Sequence, residues 1–431
     1  KALQGARMPE AVAPIPGVVS RYSLPASHPL PRSQVADLTV LPTPDFDDYF
    51  QLLQTLTPAN RFFPTLGVEM SRGCWWRKPA ASKKSSGCAF CNLNVQWEGY
   101  RFKRPEQVAS EIETLTRRHQ TLSVAFVDNL IPLKTAAPVF EELAAAEIDY
   151  RLFCEIRAGT SGQLLAKMKD AGVVELQIGI EALSTRLLDK LNKGTTAMDN
   201  LHVMKQCEAL GLVNTSNLIL EFPGSDRQDV QETLTNLTFA MPFRPMRAVD
   251  FWLGLGSPVW QNPGYYDVRA VFNHPNWSIL LPPAVAKQIP FMIQAYRGDR
   301  TIQKKRWKPV RTKLAQWEKT YDALRSRPQT SPILCYRDGK EFLIIRQRRP
   351  ADDPLLHRLV GASRQIYLFC DQPRSLPEIR AAFPSFGSDQ LHSFLAMMVD
   401  KKLMFTEGQR YLSLAIPARP RRFSLESRNL D

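Results

Sequence analysis

From residue 64 to 255 the chain repeats one pattern, a short apolar run followed by a segment with helical spacing. TLGVEM leads to PEQVASEIETLTRRH, LSVAFVDN to PVFEELAAAE, and RLFCEIRA to TSGQLLAKMKDAG. VVELQIGIEAL leads to two helical segments ending at Gly211, VNTSNLILEFPG to SDRQDVQETLTNLTFA, and RAVDFWLGLG closes the series. Six strands alternating with helices imply parallel β/α units, because a crossover helix returns the chain to the same edge of the sheet. The expected fold class is α/β, with a barrel-like parallel sheet. Local signals agree. Pro105 stands at a first-turn position, and Thr160-x-x-Gln163 and Ser225-x-x-Gln228 have capping-box spacing. Val108, Ile112 and Leu115 form one apolar stripe, and Val230, Leu234 and Leu237 another.

Barrels of parallel strands gather ligands at the C-terminal strand ends. The loop after the first strand, GVEMSRGCWWRKPAASKKSSGCAFCNLN, carries Cys74, Cys88 and Cys91. A structural zinc site usually takes four protein ligands, whereas a 4Fe-4S cluster held by three thiolates leaves one iron open for chemistry. None of the six histidines is close in sequence to supply a fourth ligand. A zinc-stapled, non-enzymatic binding protein is the competing reading. Cys154, Cys207, Cys335 and Cys370 are scattered in apolar surroundings and read as buried hydrophobes. Seven cysteines so arranged do not suggest a disulfide framework; the expected setting is reducing and cytoplasmic. No apolar run approaches membrane-span length.

Residues 1–60 are Pro-rich and aperiodic, and read as a linker or strap before a core at 61–255. Residues 256–330 read as a barrel extension with connecting helices, including KLAQWEKTYDALRSR. A further unit spans 331–417: a hairpin turning at Asp338-Gly339, helical patterns in LLHRLVGASRQIYLFC, SLPEIRAAF and SDQLHSFLAMMVDKK, and a closing hairpin in LMFTEGQRYLSLAI. That order suggests a small α+β winged-helix-like domain, with 418–431 as a disordered tail. The net charge of +14 admits nucleic acid as a partner, but the basic residues are spread and SDQLHSFLAMMVDKK is mostly apolar, so nucleic acid is not the expected partner.

GVEMSRGCWW, CAFCNLN, FVDN, QIGIEAL and GQRYLSLA together resemble radical S-adenosylmethionine (SAM) enzymes, in particular the cobalamin-dependent C-methyltransferases that mature ribosomally made peptides. The resemblance covers roughly residues 40 to 417 and implies a partial (β/α)6 TIM-like radical SAM barrel with the winged-helix-like domain behind it. It implies that Cys74, Cys88 and Cys91 ligate a 4Fe-4S cluster, with Phe90 near the adenine of SAM. Asp128, Asn129, Glu155, Arg157, Gly179 and Glu181, at later strand ends, become candidate SAM contacts; Leu220–Gly224 would pack near the adenine. The implied cofactors are the cluster, SAM and cobalamin; the implied partners are a precursor peptide, an electron donor such as flavodoxin or ferredoxin, and, where the polypeptide is split, a separate cobalamin-binding chain, with a truncated polypeptide or a variant without its own cobalamin module as the alternatives. Leader-peptide recognition by an added strand is implied for 331–417, with a structural cap on the barrel as the alternative. Two departures stand out. Thirteen residues separate Cys74 from Cys88, an insert whose Arg77, Lys78, Lys83 and Lys84 would lie near a substrate entrance or simply be solvated. No Asp-x-His-x-x-Gly of a cobalamin domain occurs, and residues 1–42, with Ile15–Val19, resemble the connector that follows such a domain. The expected reaction is C-methylation of an unactivated peptide carbon. A cobalamin-independent epimerisation or crosslinking is the alternative.

Overall fold

The computed structural model describes residues 34–77, 87–93, 99–132, 135–326, 331–350 and 353–419. Lys78, Lys83, Lys84, the connector around Ile15–Val19 and the tail from 420 lie outside the described residues. The six expected strands are β1 Leu66–Val68, β2 Ser123–Phe126, β3 Arg151–Arg157, β4 Val173–Gly179, β5 Asn217–Leu220 and β6 Arg247–Asp250. Neighbours β1–β2, β2–β3, β3–β4 and β5–β6 pair in parallel. β4 reaches β5 through Glu181, whose N–H donates to the Asn217 carbonyl (3.1 Å) and whose carbonyl accepts from the Ile219 N–H (2.8 Å). The result is an open half-barrel, the partial (β/α)6 arrangement that the alternating pattern anticipated.

The crossover helices are α1 Pro105–His119, α2 Ala136–Ala145, α3 Gly162–Asp170, α4 Thr185–Lys190, α5 Ala197–Leu210 and α6 Arg227–Ala240. Pro105 does open α1, where a missing N–H costs nothing. Val108, Ile112 and Leu115 bury its inner stripe, and on α6 Val230 and Leu237 are buried with Leu234 packed against the core. The expected caps shift by one residue. Ser161 caps α3, accepting from the Leu164 N–H, and Asp226 forms the box of α6 with Asp229. An Asp carboxylate accepts from two helix N–H groups at once, which favours it over the neighbouring serine.

Three further readings need correction. The strap 1–60 contains, among its described residues, a helix at Asp47–Thr55; Phe50 stacks on His119 at the end of α1, with ring centroids 4.3 Å apart. LLHRLV, read as helical, is the strand Leu355–Val360; the helix begins only at Gly361. Its pairing with Phe342–Gln347 overrides a leucine spacing compatible with either period. Residues 253–298 hold a three-stranded antiparallel sheet of Leu253–Gly254, Ile293–Gly298 and Val268–Asn273. After it runs α7, Arg300–Arg325, which begins well before the expected stretch. α7 buries Trp307 and Trp317 beside α6; their indole N–H groups donate to Ser225 Oγ (3.0 Å) and the Phe243 carbonyl (3.1 Å).

The C-terminal unit has both expected hairpins, Leu334–Asp338 with Phe342–Gln347 and Met404–Glu407 with Arg410–Ser413. Three helices, Gly361–Phe369, Leu376–Ala382 and Ser388–Asp400, lie between them. The unit docks on the barrel through α5. Glu407 accepts from Met198 N–H (3.0 Å) in the first turn of α5 and from Thr185 Oγ1 (2.5 Å) at α4. Lys205, buried on α5, donates to the carboxylate (2.7 Å) and carbonyl (2.8 Å) of Asp371. One apolar core runs without a break from Leu66 to Ala415.

Candidate functional site

The cysteine loop leaves β1 through a short antiparallel pair, Ser71–Gly73 with Tyr100–Phe102, and stands at the C-terminal end of the sheet. Cys74, Cys88 and Cys91 are free thiols, each half-buried. Among the described residues no three His, Cys, Asp or Glu side chains stand at metal-ligating separation. The three thiols are therefore gathered on one loop without being closed into a ligand set. Burial pushes the Cys91 thiol up to about 11 and raises Cys88; Lys193 and Arg157 beside Cys88 act in the opposite direction. Such thiols release their protons to solvent when a metal binds, and the metal's charge stabilises the thiolates in place of the lost solvation. The donor set fits an iron–sulfur cubane with one open iron.

What holds the loop is the segment Leu191–Gly194 after α4. Ala89 N–H donates to the Leu191 carbonyl (2.9 Å), and the Asn192 side-chain amide donates to the Gly87 carbonyl (2.5 Å). From the other end, Trp76 Nε1 donates to the Asn192 carbonyl (2.9 Å). Gly194 sits at φ +63°, and a Cβ there would lie 2.1 Å from the Trp76 ring. Glycine is required at this position twice over, by the backbone and by the tryptophan. The segment thus clamps both arms of the insert that separates Cys74 from Cys88.

The strand ends present three carboxylates and two cations. Asp128 is buried. It accepts from Met70 N–H (3.0 Å) and Ser71 Oγ (2.5 Å), and Tyr100 in turn donates toward Ser71 Oγ (3.0 Å) and the Leu130 carbonyl (2.8 Å). Its carboxylate is committed to the root of the cysteine loop, and burial lifts its pKa to about 6. Asn129, one residue on, instead lines a cavity of about 360 Å³ with Gly73 and Leu93. Glu155 on β3 is half-buried, and burial with the nearby Glu181 and Asp128 raises its pKa.

Arg157 is buried, stacks on Trp76 at 4.3 Å and on Trp75 at 5.6 Å, and donates to the Lys193 carbonyl. Its planar face braces the loop as a cation–π partner. Glu181, at φ +63°, ends β4 and reaches Lys193 Nζ at 3.4 Å. Gly179 gives that ammonium room, since a Cβ there would stand 3.0 Å from it. Phe90 lies on the other side, its ring centroid 5.9 Å from Lys193 Nζ. The structure therefore brings Phe90, Glu155, Arg157, Gly179 and Glu181 around the thiols, while Asp128 turns to the loop's base.

Lys193, Asn192 and Gly194 meet the cysteine loop at positions that sequence reasoning misses. Leu-Asn-Lys-Gly after a short amphipathic helix reads as an ordinary C-terminal stop, with Asn and Gly at positive φ. Only Lys193, a charged residue set among them, hints at more.

Residues 68–237 match the family model described as the Radical SAM superfamily, a superfamily of enzymes. An uncharacterized methyltransferase of Pyrococcus horikoshii is 25% identical over 215 residues, 47% of this chain and 42% of that protein. The anaerobic magnesium-protoporphyrin IX monomethyl ester cyclase of Rubrivivax gelatinosus is 26% identical over 151 residues, 34% and 27% of the two chains. Among solved structures, the cobalamin-dependent S-adenosylmethionine radical enzyme OxsB with aqua-cobalamin bound matches with a TM-score of 0.49 and 14% identity, covering 64% of this chain and 44% of that one. The chain spans less than half the length of these curated relatives. The match to an enzyme superfamily overturns the reading of a zinc-stapled, non-enzymatic protein.

Proposed function

We propose that this chain cleaves SAM reductively at a 4Fe-4S cluster held by Cys74, Cys88 and Cys91, and uses the radical to C-methylate an unactivated carbon of a ribosomally made peptide, with methylcobalamin as methyl donor. The observation that carries the reading is the gathering of three free thiols at the C-terminal end of a parallel half-barrel, clamped by Leu191–Gly194. When bound, the cluster supplies the electron that splits SAM into methionine and a 5'-deoxyadenosyl radical. The chain's own residues do the rest. Glu155 and Glu181 present carboxylates suited to the ammonium and ribose hydroxyls of SAM, and Lys193 suits its carboxylate. Trp75, Trp76 and Arg157 close the loop against water, which a radical intermediate requires. Methylation is the chemistry named for the Pyrococcus horikoshii relative, and the peptide substrate rests on the motif resemblance. In this reading the peptide's leader adds a strand to Leu355–Val360, which pairs only on its Phe342–Gln347 side among the described residues. A flavodoxin or ferredoxin delivers the electron, and a cobalamin-binding domain, of this protein or of a separate chain, brings cobalamin.

The test is anaerobic reconstitution with iron and sulfide, then SAM, dithionite and methylcobalamin, with mass analysis of nucleosides. We expect 5'-deoxyadenosine from the native chain and none from Cys88→Ala, with S-adenosylhomocysteine only when cobalamin is supplied. Zinc in place of iron after reconstitution would sink the reading. 5'-Deoxyadenosine with a modified peptide but no cobalamin dependence would move it to the epimerisation or crosslinking class.

A further inference from the structure

The antiparallel sheet that follows β6 encloses a cavity of about 330 Å³ that the SAM chemistry leaves unused. Its walls include Trp252, Leu253, Trp277, Leu280, Ile293 and Tyr296. Large apolar side chains stand open to solvent around its mouth: Trp252 is 63% exposed, Leu280 72% and Met292 57%. Isolated exposed hydrophobes are ordinary, but a cluster lining a concavity marks a binding surface.

Several polar groups at the rim are already engaged. Asp250 takes a hydrogen bond from Arg311, Gln294 donates to Asn273 Oδ1 (2.7 Å) and the Phe291 carbonyl (2.6 Å), and His274 Nδ1 accepts from Asn276 N–H (3.3 Å). The Arg300 guanidinium lies 5.4 Å over the Tyr296 ring. Apolar wall is most of what a guest meets. A cationic guest would give up hydration there and meet the Arg300 guanidinium as a like charge.

The cavity also adjoins the cysteine loop. Leu253 and Ile293 line it, and their neighbours Gly254 and Met292 touch Asn92, the residue after Cys91. Asn92 Nδ2 donates to the Met292 carbonyl (3.1 Å), and a Cβ on Gly254 would lie 2.6 Å from the Asn92 side chain. Val259 N–H donates to the Ala89 carbonyl (3.1 Å). Two strands that line the cavity thus also touch the loop that carries the thiols.

We infer that this cavity receives one apolar side chain, aliphatic or aromatic, of the substrate peptide, and so selects the residue presented to the radical site or its direct neighbour. The inference rests on the peptide reading above. Its volume admits a leucine, phenylalanine or tryptophan side chain.

The test needs neither cluster nor SAM. Saturation-transfer NMR on the full chain uses N-acetyl-leucinamide, N-acetyl-phenylalaninamide and N-acetyl-lysinamide as probes. The Leu and Phe amides should bind and compete with one another, and the Lys amide should not. Trp252→Ala with Leu280→Gln, both at exposed positions that folding tolerates, should weaken the apolar amides about fivefold or more. Equal binding of the Lys amide, or unchanged binding to the double variant, overturns the inference. Absence of 5'-deoxyadenosine with every peptide tried would defeat the proposed function and leave selective amide binding standing in support of the cavity. Peptide turnover with a KM unchanged by the double variant would overturn the cavity's role alone.

Discussion

Asp128 shows how a residue at a strand end can brace the cysteine loop. Its carboxylate holds Met70 and Ser71, three to four residues before Cys74, and burial raises its pKa from 3.8 to about 6. A carboxyl whose folded pKa is raised favours the native state fully below pH 3.8, and that contribution disappears as the pH climbs through about 6. Relative to an Asp128→Asn variant, which does not titrate, the native chain should therefore lose stability between pH 3.5 and 7. The rise from 3.8 to about 6 corresponds to about 3 kcal/mol. Urea melts of both proteins at the two pH values check this; a constant difference would mean that folding leaves the Asp128 pKa unshifted. His202 runs the other way. Burial depresses its pKa to about 4, so its neutral form stabilises the fold above pH 6.5 and that stability is lost as the pH falls through 4.

Among the elements, the Leu191–Gly194 segment has the clearest consequence. Gly194→Ala places a methyl inside the Trp76 ring and asks an L-residue for a left-handed backbone. The expected outcome is a chain with native circular dichroism, a tryptophan emission shifted to the red, and less than about half the native iron after reconstitution. Full iron loading would show that the clamp is dispensable. The docking of the C-terminal unit depends similarly on Glu407, which accepts at the first turn of α5. Glu407→Ala leaves Met198 N–H and Thr185 Oγ1 without their acceptor, at about 1–3 kcal/mol by denaturant melt. A smaller loss would assign the docking to apolar contact alone.

At the scale of the molecule, a core continuous from Leu66 to Ala415 predicts that barrel and C-terminal unit unfold together. Tryptophan fluorescence reports mainly the barrel and α7, and far-ultraviolet circular dichroism reports everything. Their urea transitions should coincide, and two separated transitions would show that the C-terminal unit is independently stable. Trp317→Ala, in the fully buried belt under α7, should cost about 3–5 kcal/mol of stability and lower the shared midpoint without splitting it.

The alternation of short strands and helices is legible because both periods are written in local apolar spacing, and all six parallel strands follow it. The three cysteines are legible because an open-site cluster needs that number of thiols at a strand end. The caps fall one residue from their expected places, because adjacent cap-forming residues, Thr160 with Ser161 and Ser225 with Asp226, leave the exact start of each helix to the fold. Leu355–Val360 reads with the wrong period, because a strand neighbour, not its own leucines, decides its conformation. Lys193 and the glycine beside it are invisible as functional residues, since a Lys-Gly after a helix is ordinary until Trp76, Glu181 and Phe90 arrive around it from elsewhere in the chain. The sequence by itself determined the β/α succession and the thiol donors, which depend on neighbours within a few residues. Only the tertiary structure decided which carboxylate faces the thiols, what clamps their loop and where an apolar cavity adjoins it, because each is a meeting of side chains far apart in sequence.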